Sequence, residues 1–264
     1  MKKFLCIAFF LIFSITLADD SPVNQNDGAY GPMVYPLSLK KKSKIRMEKE
    51  NLLFRFNLST TWVTATFYFR NTDQQHSVTQ LTGFPDIALG IAKSRQEGRM
   101  TEPYSSNAYV GTTYSPISHL ETSIDGVKVD SKLEYGFVSN ENWAPGTRNT
   151  GDQVAWYVVN LIIPPGGLRV LERHYVCRNV ASVPCRSFTY ITHTGGGWYG
   201  TIGELSADVI IGNDVNADEL DFEPQDGWRP TDKYNTLHLI WKNFDPRKDK
   251  TKQQIQITDC PHKE

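Results

Sequence analysis

LLFRFNL, Leu52–Leu58, and TWVTATFYFRN, Thr61–Asn71, decide the fold. In the first, Leu52, Phe54, Phe56 and Leu58 fall on one face and Arg55 and Asn57 on the other, which is the two-residue period of a half-buried strand. In the second, Val63, Ala65, Phe67 and Phe69 oppose Thr64, Thr66 and Tyr68. Two alternating runs separated by a few polar residues predict an antiparallel pair.

The same texture extends along the chain. LETSIDGVKV breaks at Asp125-Gly126, a dipeptide that reaches positive φ in a two-residue hairpin turn. QVAWYVVNLII is apolar on both faces, as a central strand covered from both sides would be, and PPGG ends it. LRVLERHYVC, RSFTYITHT, ELSADVIIG, NTLHLIWKNF and QQIQITD are further strand candidates. Only DIALGIAKSRQEG, following Pro85, reads as a short helix. The expected fold is therefore all-β, an antiparallel two-sheet sandwich of general immunoglobulin-like architecture with at most one short helix. KKKSKIRMEKE, Lys40–Glu50, reads as an edge strand kept from aggregating by its lysines, or as a face for an anionic envelope surface.

At the N-terminus Lys2 and Lys3 precede an apolar run from Phe4 to Leu17, with Ala18 before two aspartates. That pattern predicts a secretory signal peptide over 1–18, because the run is shorter than the roughly 20 residues of a membrane span. No other stretch is long and apolar enough to be a transmembrane segment, so the expected location is secreted or periplasmic. Residues 19–36 read as a flexible leader and 37–264 as the β-sandwich domain, either as one unit or as two packed β subdomains. Removing 1–18 moves the net charge from −1 to −3, which gives no support to a nucleic-acid partner. Of the cysteines, Cys177, Cys185 and Cys260 remain. Cys177 and Cys185 flank a short loop and are the expected disulfide, with Cys260 able to pair with either instead.

The order of ATFYFRNTDQQHSVTQLTGFPDI, SIDGVKV, RHYVC, YITHTGGGWYGTIG and IWKNFDP resembles an uncharacterised family of secreted bacterial proteins, a domain of unknown function. The resemblance covers Lys44 to about Ile257, with FPDI at Phe84–Ile87 where the family has a longer step. It implies a β-rich extracytoplasmic domain and carries over no catalytic residues.

THTGGGWYGTIGE, Thr192–Glu204, sets three glycines beside a histidine, as lipase oxyanion loops do, but no G-x-S-x-G elbow accompanies it. A phosphate cradle would need a helix after the glycines, whereas a strand-like run follows. The segment reads as a turn, with Tyr190, His193, Trp198, Tyr199 and Glu204 the candidate ligand-binding residues for a sugar or peptide. Asp214, Asn216 and Asp218 alternate like the first ligands of a calcium loop, but Glu219 and Gln225 stand where glycine and a bidentate glutamate belong. His174 lies two residues from Glu172, and it, His119 and His238 read as structural or solvated. No cofactor is expected. The functional expectation is a non-catalytic binding protein of the bacterial envelope with a protein or glycan partner, against a hydrolase with a loop-assembled site or a structural subunit of a surface assembly.

Overall fold

The computed structural model describes residues 21–22, 44–86, 117–137, 153–182, 184–192, 195, 197–246 and 248–261. The expected signal peptide, nearly all of the leader and the helix expected after Pro85 lie outside the described residues, apart from Asp86 at a strand end.

The two diagnostic runs form the middle of the molecule. Strand β2 (Ile45–Phe56) pairs antiparallel with β3 (Thr60–Asn71), Phe54 opposite Val63 and Leu52 opposite Ala65. A bulge between Met47 and Lys49 shifts the phase of β2 by one residue. Ile45 and Met47 point inward before it; Glu50, Leu52, Phe54 and Phe56 do so after it. The bulge thus buries a carboxylate, Glu50, whose Oε1 accepts a 2.5 Å hydrogen bond from the Tyr190 hydroxyl. The edge-strand expectation for Lys40–Glu50 is corrected from Ile45 onward: β2 lies between two partners.

From this pair a sheet of eight strands spreads in the order β14-β15-β12-β2-β3-β9-β5-β6. Its members beside the central hairpin are β9 (Leu168–Arg178), β5 (Ile117–Ile124), β6 (Val127–Val129), β12 (Ile202–Ile211), β14 (Arg229–Pro230) and β15 (Thr236–Phe244). Strands β5 and β6 turn at Asp125 and Gly126, with φ of 51° and 78°, as the Asp-Gly pair predicts. The sheet departs from a purely antiparallel pattern once, since β12 runs parallel to β2.

One face of this sheet is covered by two four-stranded sheets lying in a common second layer. The first comprises β1 (Ser21–Pro22), β4 (Val78–Asp86), β8 (Gln153–Ile163) and β7 (Lys132–Phe137). The second comprises β10 (Val180–Ser182), β11 (Cys185–Ile191), β16 (Gln254–Asp259) and β13 (Leu220–Glu223). Phe54 packs on Phe188 and Tyr190 at ring distances of 5.2 and 5.4 Å, and Phe84 packs on Tyr175 at 5.0 Å, so both small sheets share one core with the large one. Tilted aromatic pairs of this kind add to the area they bury. The all-β sandwich is thus two layers, the second divided. Helical turns among the described residues are short and of 3-10 type, Ala217–Glu219 and Lys250–Lys252 among them.

The disulfide joins Cys185 to Cys260, which corrects the expected Cys177–Cys185 pairing. Cys177 stays outside the disulfide, a buried thiol on β9 facing the core. Strand β11 lies beside β16, with Arg186 opposite Asp259, and this pairing brings together cysteines 75 residues apart. Proximity in sequence misleads here because Cys177 belongs to the large sheet and Cys185 to a small one.

Candidate functional site

The second face of the large sheet carries no layer of described residues, and its side chains fall into cross-strand rows. One row reads Ile210, Arg55, Trp62, Val176 and Ser118 across β12, β2, β3, β9 and β5. The next reads His238, Asp208, Leu53, Thr64, His174 and Glu121. The third runs through Ser206, Asn51, Thr66, Glu172 and Ser123, and the fourth through Lys242, Glu204, Lys49, Tyr68 and Val170. Trp62 stands out: it is 55% exposed on a strand paired on both sides. Alternation requires this, since the phase that buries Val63 turns Trp62 outward.

Over the first two rows lies a cavity of about 360 Å³, lined chiefly by Leu53, Arg55, Trp62, His119, Glu121 and His174. A bulge in β5 between Ser118 and Glu121 delivers His119, which adopts a φ of 55°. That left-handed conformation is uncommon outside glycine. His174 is held between two groups: Thr64 Oγ1 lies 3.0 Å from Nδ1 and Glu172 Oε1 lies 2.7 Å from Nε2. The Thr66 hydroxyl donates to the other Glu172 oxygen at 3.2 Å. The Lys128 ammonium, 3.0 Å from Glu121, holds that carboxyl below the usual glutamate range, and the His174 charge acts in the same direction.

Of the residues singled out around the glycine segment, the four described ones fall on different sides of the large sheet. Tyr190 and Trp198 are core: Tyr190 bonds to Glu50 and stacks near Phe54, while Trp198 packs on Phe69 at 4.3 Å. Tyr199 is half-exposed, and Glu204 sits on the open face within 3.2 Å of Lys49 and 3.8 Å of Lys242. His193 lies outside the described residues. The segment serves as the crossing from the second layer into β12. Gly200 has a φ of 75°, and a Cβ at Gly203 would fall 2.3 Å from the Glu48 carbonyl oxygen. Glycine is required there for a turn and for a close approach of two strands.

Asp214, Asn216 and the Asp218 amide take part in loop hydrogen bonds. Asp214 Oδ2 accepts from the Leu58 amide at 3.1 Å. Asn216 Oδ1 accepts from the Asp218 amide at 3.2 Å, and its Nδ2 donates to Glu219. Among the described residues no group of three or more His, Cys, Asp and Glu is placed to hold a metal ion. Nearby, burial pushes the Asp259 carboxyl up, and the charges of Glu219 and Asp214 add to this against Arg186. A raised acid contributes stability that is complete below the ordinary aspartate range and is lost as pH rises through the raised value. Asp259→Asn is therefore expected to raise the unfolding midpoint at neutral pH and to leave it nearly unchanged at about pH 3. Thermal unfolding at both pH values checks this; an equal shift at both would contradict it.

No protein-family model and no curated protein matches the chain. Solved structures do. A Legionella pneumophila protein, provisionally named a nutrient binding protein, matches with a TM-score of 0.57 at 13% identity, over 90% of this chain and 69% of its own. An M1 zinc metallopeptidase variant from Deinococcus radiodurans matches at 0.38 and 8% identity, over 82% of this chain and 42% of its own. A provisionally named protease from Parabacteroides distasonis matches at 0.35 and 7% identity, over 81% and 40%. The first likeness speaks to the fold alone; the other two fall below the level that carries a structural inference. What fold and surface together define is a β-sandwich of two layers in which, among the described residues, one broad sheet face carries no further layer.

Proposed function

We propose that the chain is a non-catalytic, extracytoplasmic binding protein, secreted or periplasmic, whose protein or glycan ligand docks on the open face of the large sheet around Trp62. The observation that carries this is an indole more than half exposed in the middle of an eight-stranded sheet, beside a cavity furnished with Arg55, His119, Glu121 and His174. An amphipathic ring amid convergent polar groups is the usual make-up of a ligand site. The Cys185–Cys260 disulfide suits an oxidising compartment, and membership of the secreted family whose motifs the chain resembles is part of the proposal. The name of the Legionella protein is compatible with a binding role.

Hydrolysis is the second reading, supported by the Thr64, His174 and Glu172 contacts, which have the order of a nucleophile, a base and an orienting acid. Binding is favoured because the amides of β3 and β9 beneath those groups are engaged in the sheet ladder, and a developing oxyanion needs free donors.

The test is retention of polysaccharide and protein fractions of a bacterial envelope extract on the immobilised chain. Trp62→Ala is expected to weaken retention about tenfold or more, a loss of roughly 1.4 kcal/mol or greater, while Tyr234→Ala, at an exposed turn far along the sheet, leaves it intact. Equal retention by Trp62→Ala would contradict the reading.

A further inference from the structure

We infer that the ligand is a neutral oligosaccharide lying along β3, one sugar ring stacked on Trp62 and the chain passing over Thr64 and Thr66 toward Tyr68; this rests on the binding reading above. Trp62 and Tyr68 share the open face of one strand six residues apart, or about 20 Å at strand rise. That length accommodates several sugar units between two aromatic stops.

Between those stops the surface is furnished for hydroxyl groups, which both donate and accept. Thr64, Thr66, Asn51 and Ser206 are uncharged and occupy the centre of the face. The ionisable groups beside and around it are matched among themselves: Glu172 with His174 next to the threonines, Glu204 with Lys49 and Lys242, Asp208 with His238, Glu121 with Lys128. With these groups paired, a strongly charged ligand of either sign would gain attraction there only by breaking a pair. A peptide adding as a strand requires an unpaired edge, and β3 is flanked by β2 and β9 along its length. The face therefore offers side chains and no ladder, the arrangement on which a flat ring with polar edges is recognised.

The experiment is calorimetric titration of the whole chain with di-, tri- and pentasaccharides of β-1,4-glucose, α-1,4-glucose and β-1,4-N-acetylglucosamine, beside polygalacturonate and an acidic peptide. Affinity for at least one neutral series is expected to rise with length. Trp62→Ala should weaken that binding about tenfold or more, Trp62→Phe should restore most of it, and Tyr68→Ala should abolish the gain with length. Unchanged thermal midpoints establish that the variants fold. Binding only of polygalacturonate or the peptide, still dependent on Trp62, overturns the sugar assignment and leaves the binding reading standing. Neutral-sugar binding indifferent to Trp62→Ala overturns both, and failure of every neutral series at millimolar concentration overturns the sugar assignment.

Discussion

Arg173→Ala is expected to cost about 3–5 kcal/mol, lowering the midpoint by roughly 6–20 °C for a chain of this size. Arg173 projects inward from β9 and is fully buried. Its guanidinium donates to Thr122 Oγ1 at 3.0 Å, Ser131 Oγ at 3.3 Å and the Tyr157 carbonyl at 3.1 Å, and it lies 5.3 Å from the centre of the Phe84 ring. Through these contacts one side chain joins β9 to β5 and to the small sheet that holds β8 and β4. Truncation removes the three hydrogen bonds that the guanidinium donates and opens a cavity where the stem was packed. Arg173→Met fills most of that volume without a buried charge and should recover about half of the loss, since apolar replacements of buried charges are often tolerated. Urea unfolding of the three proteins checks this, and an alanine variant within about 1 kcal/mol of the native chain would contradict it.

Cys260→Ser should have an effect of the same order. The bond closes a separation of 75 residues, for which chain entropy alone gives about 4–5 kcal/mol. It fastens the end of β16 to the start of β11, and those strands bring Phe188, Tyr190, Ile255 and Ile257 into the core. Loss of the link should therefore free the small sheet first, exposing backbone amides of β11 and β16 to exchange ahead of those in β2 and β3. Cys177→Ser should leave the cross-link in place. Peptide mapping without reduction settles the pairing: a fragment joining Cys185 to Cys260 is expected, and one joining Cys177 to Cys185 would contradict the structure.

How much of this was legible in the sequence follows from what alternation can encode. A period of two fixes which side chains of β2 and β3 are inside, and Val63, Ala65, Phe67 and Phe69 are buried as that period demands. The Asp125-Gly126 turn was equally readable, because its positive φ is a local requirement. The bulge after Met47 was not: it reverses the phase of β2 and takes Glu50 inside, where it bonds to Tyr190 from another layer. Strand order was not readable either. Trp62, Thr64 and His174 come together only because β3 pairs with β9, more than a hundred residues later, whereas the glycine-rich segment points to Tyr190 and Trp198, which are core. A signal for Trp62 was present nonetheless. The alternation that buries Val63 turns an indole to solvent, and a large aromatic in that phase on a central strand asks for a partner.

Hydroxyl-radical footprinting of the native chain tests the layout most directly, because it reads which face of the large sheet is covered. Trp62 should oxidise about as readily as the exposed Tyr234, while Trp198, Trp241 and Tyr190 remain protected. Protection of Trp62 together with modification of Trp198 would mean that the opposite face is the open one, and the binding surface described above would not exist.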